Sequence, residues 1–115
     1  TLYWCTMVKL PEMPGKHHMI GYKPTVTLGN ERYVHHMVLY ECHDDTDPNA
    51  RFEQHVNSGY ECHAPNMPDD FKKCKGIVAG WGIGGEAFYL PEEAGYPVGV
   101  EHGGATYYMF EVLIS

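Results

Sequence analysis

Two adjacent histidine pairs, His17–His18 and His35–His36, are the residues of this chain best suited to chemistry. Neutral imidazole is a nitrogen donor for copper, zinc and related ions, and it titrates near pH 6.5. Neighbouring side chains of a regular strand point to opposite faces. One ion held by both members of a pair therefore needs a local twist, or coordination through the nearer ring nitrogen, Nδ1. Without either, one histidine faces solvent and the other a polar pocket, and His17–His18 reads that way. Met37 and Met109 carry thioether sulfur, and His102 is a further imidazole. The ordinary use of such methionines is core packing, and of His102 a solvated loop position.

The four cysteines, Cys5, Cys42, Cys62 and Cys74, are an even number without a CxxC pair. Zinc ligands usually come in close pairs, so two structural disulfides are the better reading. Spacing alone leaves three connectivities open. Oxidised bridges place the protein outside the reducing cytosol, in a secreted or extracellular setting. The chain starts at Thr1 without an initiator Met or a leader-like segment, which fits a processed secreted protein and equally a piece of a longer one. It contains no apolar run long enough to span a bilayer as a helix.

Eight Lys and Arg against fifteen Asp and Glu give a net charge of −7. Such a surface repels phosphate backbones and anionic lipid, so nucleic acid and membranes are excluded as natural partners. Cations are attracted instead. The acidic run His43-Asp44-Asp45-Thr46-Asp47 lacks the alternating ligands of a calcium loop and reads as solvated. The glycines between Gly80 and Gly85 are not followed by the Lys-Ser/Thr pair of a phosphate cradle. With the cysteines assigned to bridges, and no base near the serines in recognisable context, no nucleophile is predicted.

These residues must be held by strands. Short apolar and β-branched runs alternate with Pro, Gly, Asn and Asp along all 115 residues, which form one domain, 1–115. Strands are predicted over 2–10, 17–22, 33–42, 77–83, 95–100 and 106–114, with 25–28 extending the second beyond Pro24. The polar stretch 43–58 is a loop with a helical turn near 50–56, and a second turn is expected at DDFKKC. The fold class is all-β, an antiparallel sandwich of jelly-roll-like character.

The segment GNERYVHHMVLYEC resembles the first copper-ligand strand of the ascorbate-dependent type II copper monooxygenases, the family of dopamine β-hydroxylase and peptidylglycine hydroxylating monooxygenase. The segments TLYWCTMVKLP, KHHMIGYKPTVTLGN, SGYECHAPNMPDDFKKC and AGWGIGGEAFYLPEEAGYPVG are similar to that family in the same order, so the likeness covers essentially the whole chain. It implies an N-terminal copper domain with bridges Cys5–Cys62 and Cys42–Cys74. It implies one copper held by His35, His36 and a third histidine in a motif like E-V-H-Y. Here that motif reads Glu111-Val112-Leu113-Ile114-Ser115, and Leu113 has no lone pair to give.

The resemblance also implies a second copper domain, where oxygen activation and hydroxylation take place, and these 115 residues hold no counterpart of it. The predicted function is thus copper binding at an altered electron-storing site, with one ion per chain or one shared across a dimer. His102, Met109 or Met37, a second copy, or a partner chain would supply the missing donor. Hydroxylation by this chain alone is not expected. The alternative is a non-enzymatic, metal-free secreted binding or structural protein on the same scaffold, possibly oligomeric.

Overall fold

A computed structural model describes residues 1–11, 15, 17–44, 46–82, 88–89, 95–98 and 104–114. Its strands are β1 (Leu2–Lys9), β2 (His17–Met19), β3 (Gly21–Tyr22), β4 (Val34–Cys42), β5 (Gly59–Glu61), β6 (Cys74–Gly82), β7 (Phe88–Tyr89), β8 (Tyr96–Val98) and β9 (Tyr107–Ile114). Five of them form one antiparallel sheet in the order β5-β1-β9-β4-β6, and two ribbons, β2–β8 and β3–β7, stand beside it. This is the all-β antiparallel fold expected from the sequence, with both predicted disulfides, Cys5–Cys62 and Cys42–Cys74, in place.

The central strands β4 and β9 are rich in aromatic and β-branched residues, which suit a pleated surface covered on both sides. Their alternation sorts side chains by face. On one face Met7, Cys5, Cys42, Tyr107 and Met109 meet Phe52 and Phe71, which come from the connection between β4 and β6. Phe52 ends helix α1 (Pro48–Phe52), and Phe71 lies in the 3-10 turn Asp69–Lys73. Both phenylalanines are almost completely buried. The other face carries Met37, Leu39, Ala79, Trp81 and Phe110, and residues 22–25 lie across them to leave an apolar groove of about 230 Å³. The Tyr22 hydroxyl holds that segment down by donating to the Gly80 carbonyl at 3.0 Å.

Four departures from the sequence reading have physical causes. Residues 25–28 form no strand: Pro24 interrupts pairing, Thr25 lines the groove, and Leu28 is exposed beyond it. The stretch 17–22 divides at Ile20, because β2 pairs with β8 and β3 with β7. Strands β5 and β7 were not foreseen, being three and two residues long. Asp44 is not solvated: its side chain is only 7% exposed and pairs with Arg51 at 2.9 Å. The predicted strand ends at residues 83 and 99–100 lie outside the described residues.

Arg51 also reaches Asp70 at 2.7 Å, and His55 Nε2 lies 2.7 Å from the other Asp70 oxygen. This network ties the loop after β4, α1 and the Asp69–Lys73 turn together over the core. Arg51 beside Asp44 holds that carboxyl below the usual aspartate value. The His55 hydrogen bond, with Arg51 behind it, does the same for Asp70. Because both folded values are depressed, the stabilisation is present above the unfolded value and is lost as pH falls through the folded one. Asp70→Asn is therefore expected to lower the urea midpoint at pH 7, and the gap from wild type should close below the ordinary aspartate value of 3.8. A gap that stays constant down to acid pH would contradict this role for Asp70.

Candidate metal centre

The ladder between β4 and β9 is irregular at one place. Val34 faces Ile114 and His36 faces Leu113, so His35 is an extra residue with no opposite number. Such a bulge breaks strict alternation and re-aims the side chains around it. Among the described residues the pair is not part of a group of three or more close ligand atoms. The pair is half-buried at this end of the sheet.

His36 belongs to a row of side chains running across β4, β9 and β1. Leu113 is the register partner of both His36 and Tyr3, and the Tyr3 ring lies 5.6 Å from the His36 ring at a tilt of 52°. The next row inward is Val38, Glu111 and Cys5. Glu111 is 9% exposed, and one carboxylate oxygen lies 3.7 Å from His36 Nε2. On its other side sit the sulfurs of the Cys5–Cys62 bridge. Tyr40 lies against the same cluster: burial, and then the charge of Glu111, push its hydroxyl above the usual tyrosine value.

The remaining sequence candidates are spread over the fold. His17 and His18 are exposed on the β2–β8 ribbon, where His17 Nδ1 lies 3.3 Å from the Gly15 carbonyl. Met37 alternates away from His36 and lines the apolar groove on the opposite face. Met109 is buried in the core, cross-strand from Met7 and Tyr40. His102 lies outside the described residues. Among the described residues, the one trio of His, Cys, Asp or Glu ligand atoms within 4.8 Å of one another is Cys5, Cys62 and Glu111. Its sulfurs are bonded to each other, so they offer no thiolate to a metal.

Sequence reasoning passed over Glu111 as a functional residue, although a signal was present. In YYMFEVLI, period-two alternation puts Tyr107, Met109, Glu111 and Leu113 on one face, and a carboxylate in that row is out of place unless it has a partner. A second carboxylate, Glu41, was also missed. It accepts a 2.8 Å hydrogen bond from the Tyr96 hydroxyl and lies 3.4 Å from His43 Nε2, near the C-terminal end of β4.

The chain belongs to the copper type II ascorbate-dependent monooxygenases and matches their N-terminal domain over residues 1–114. It is 40% identical over 99 residues to human DBH-like monooxygenase protein 1, covering 86% of this chain and 15% of that protein. To human dopamine beta-hydroxylase it is 40% identical over 112 residues, covering 97% of this chain and 17% of the relative. The chicken DBH-like monooxygenase protein 1 is 37% identical over 99 residues, with 86% and 15% covered. The chain thus spans about a sixth of the length of these relatives.

Proposed function

We propose that this chain is a copper-binding domain in which His35 and His36 hold the ion at a site altered by Leu113. The observation that carries the reading is the β-bulge at His35, placed beside His36 in a domain of a copper-dependent family. Two imidazoles, half-buried and with a carboxylate near His36, suit copper in either oxidation state. Bound copper would supply one-electron chemistry, and this chain's part is to present the imidazoles and to shield them with Tyr3 and Leu113. The monooxygenase activity named for the relatives is carried by proteins of which this chain spans 15–17%, so binding rather than hydroxylation is assigned here. Two disulfides favour an extracellular location, and no helix among the described residues is long and apolar enough to cross a membrane.

Leu113 is cross-strand from both His36 and Tyr3, where an imidazole would stand directly beside the pair. That position favours a second reading, a metal-free interaction domain in which Leu113 completes an apolar row and His36 pairs with Glu111. Copper titration of the wild type and of Leu113→His separates the two. The copper reading predicts uptake by the wild type and affinity for Cu(I) about tenfold or more higher in the variant, by analogy with the gain from completing a ligand shell. A half-integer ratio would assign the missing donor to a second copy of the chain. Absence of uptake by the wild type would establish the metal-free reading.

A further inference from the structure

We propose that the apolar groove beneath residues 22–25 is a binding site for a small amphiphilic monocarboxylate, of the class of a medium-chain fatty acid. The inference is independent of the copper reading, because the groove lies on the face of the sheet opposite His36 and Glu111. The two faces of the five-stranded sheet are closed in different ways. One is sealed by Phe52 and Phe71, which are almost completely buried. On the other, Met37, Leu39, Ala79, Trp81 and Phe110 all remain half-buried under the strand-free segment 22–25. Apolar surface left partly in water is stabilised by any apolar group that fills the space.

Size and shape restrict what that group can be. The groove holds about 230 Å³, below the roughly 300–1,000 Å³ of sites for drug-sized ligands, so it suits a short chain. A second β-layer needs about 10 Å of clearance above a sheet, and the segment 22–25 already occupies that space. An extended alkyl chain needs only the gap between the segment and the sheet.

Charge selects the head group. Lys23 is the one charged side chain of the lining. Among the described residues it has no ion-pair partner, in a chain with fifteen acidic residues against eight basic ones. An exposed lysine at an apolar wall keeps its stem on the wall and its ammonium in water. A carboxylate whose tail lies in the groove gains a charge-assisted hydrogen bond from that ammonium. An amine in the same place would meet a like charge. The Tyr22 hydroxyl, donating to the Gly80 carbonyl at 3.0 Å, fixes the segment that carries Lys23 over the groove.

The test is titration of the full chain, labelled with carbon-13 at its methionine methyls, with octanoate and with octanol as the uncharged counterpart. Octanoate is expected to shift the Met37 methyl saturably, with a Kd below about 1 mM. Met7 and Met109, in the core on the other face, should not move. Lys23→Gln changes an exposed residue, so the fold is retained. It should weaken octanoate about threefold or more and leave octanol unchanged. Equal octanoate affinity in wild type and Lys23→Gln would overturn the carboxylate assignment. No saturable shift of the Met37 methyl, or a shift of Met7 and Met109 along with it as in detergent-like loosening, would overturn the site itself.

Discussion

Copper uptake is expected to fall below detection when His35 and His36 are both replaced by alanine, while the native circular dichroism spectrum is retained. The two effects separate because the pair sits at the end of β4, with His36 opposite Leu113, away from the cluster that holds the sheet together. Truncating His36 removes the imidazole that lies 3.7 Å from a Glu111 oxygen, a contact too long for a good hydrogen bond and of small cost to lose. That cost is borne because the core of Met7, Phe52, Phe71, Tyr107 and Met109 is untouched. Single variants should divide the loss, each leaving one imidazole and a much weaker ion. Unchanged copper content in the double variant would place the metal elsewhere and remove the basis for the proposed function.

The second large effect belongs to the disulfides. Cys5–Cys62 closes a loop with a sequence separation of 57, and Cys42–Cys74 one of 32. In the chain-entropy picture, opening the first costs about 4 kcal/mol and opening the second somewhat less. Net stabilities of small domains are about 5–15 kcal/mol, so either loss is a large fraction of the whole. The first bridge has further work: it ties β1 to the residue after β5, and Cys5 is fully buried in the core. Cys5→Ala with Cys62→Ala is expected to lower the melting temperature by about 15 °C, and the matching change at Cys42 and Cys74 by less. Denaturant midpoints of the two variants check the order. A first variant as stable as the wild type would show that the bridge does not constrain the unfolded chain as described.

Much of this was legible in the sequence, for reasons visible at particular residues. The run YVHHMVLYEC carries its strand in its own side chains, and it emerges as β4 with the histidines at one end. Both cysteine pairings followed from the family resemblance, whereas spacing alone left three possibilities. What was not legible depends on neighbours distant in sequence. The bulge at His35 exists only in the pairing of β4 with β9, some seventy positions later, and no local property of the histidines announces it. Strand β5 is three residues long, pairs with β1 and is followed directly by the Cys62 anchor. Asp44 read as solvated because its burial depends on Arg51, seven residues on, which is itself held by Asp70 from the later 3-10 turn. Glu111 was hidden differently: its alternation was available, but its burial became evident only once β1 and β4 were placed on either side.

The central claim is that this domain holds copper through His35 and His36, and the most direct test is copper content per chain. The protein would be purified without added metal, stripped, and titrated with Cu(I) and Cu(II) in turn. The account predicts saturation near one copper per chain, abolished in the His35→Ala, His36→Ala double variant. No copper on the purified protein and no tight uptake on titration would contradict it, and would leave the bulged histidine pair as a feature of the scaffold alone.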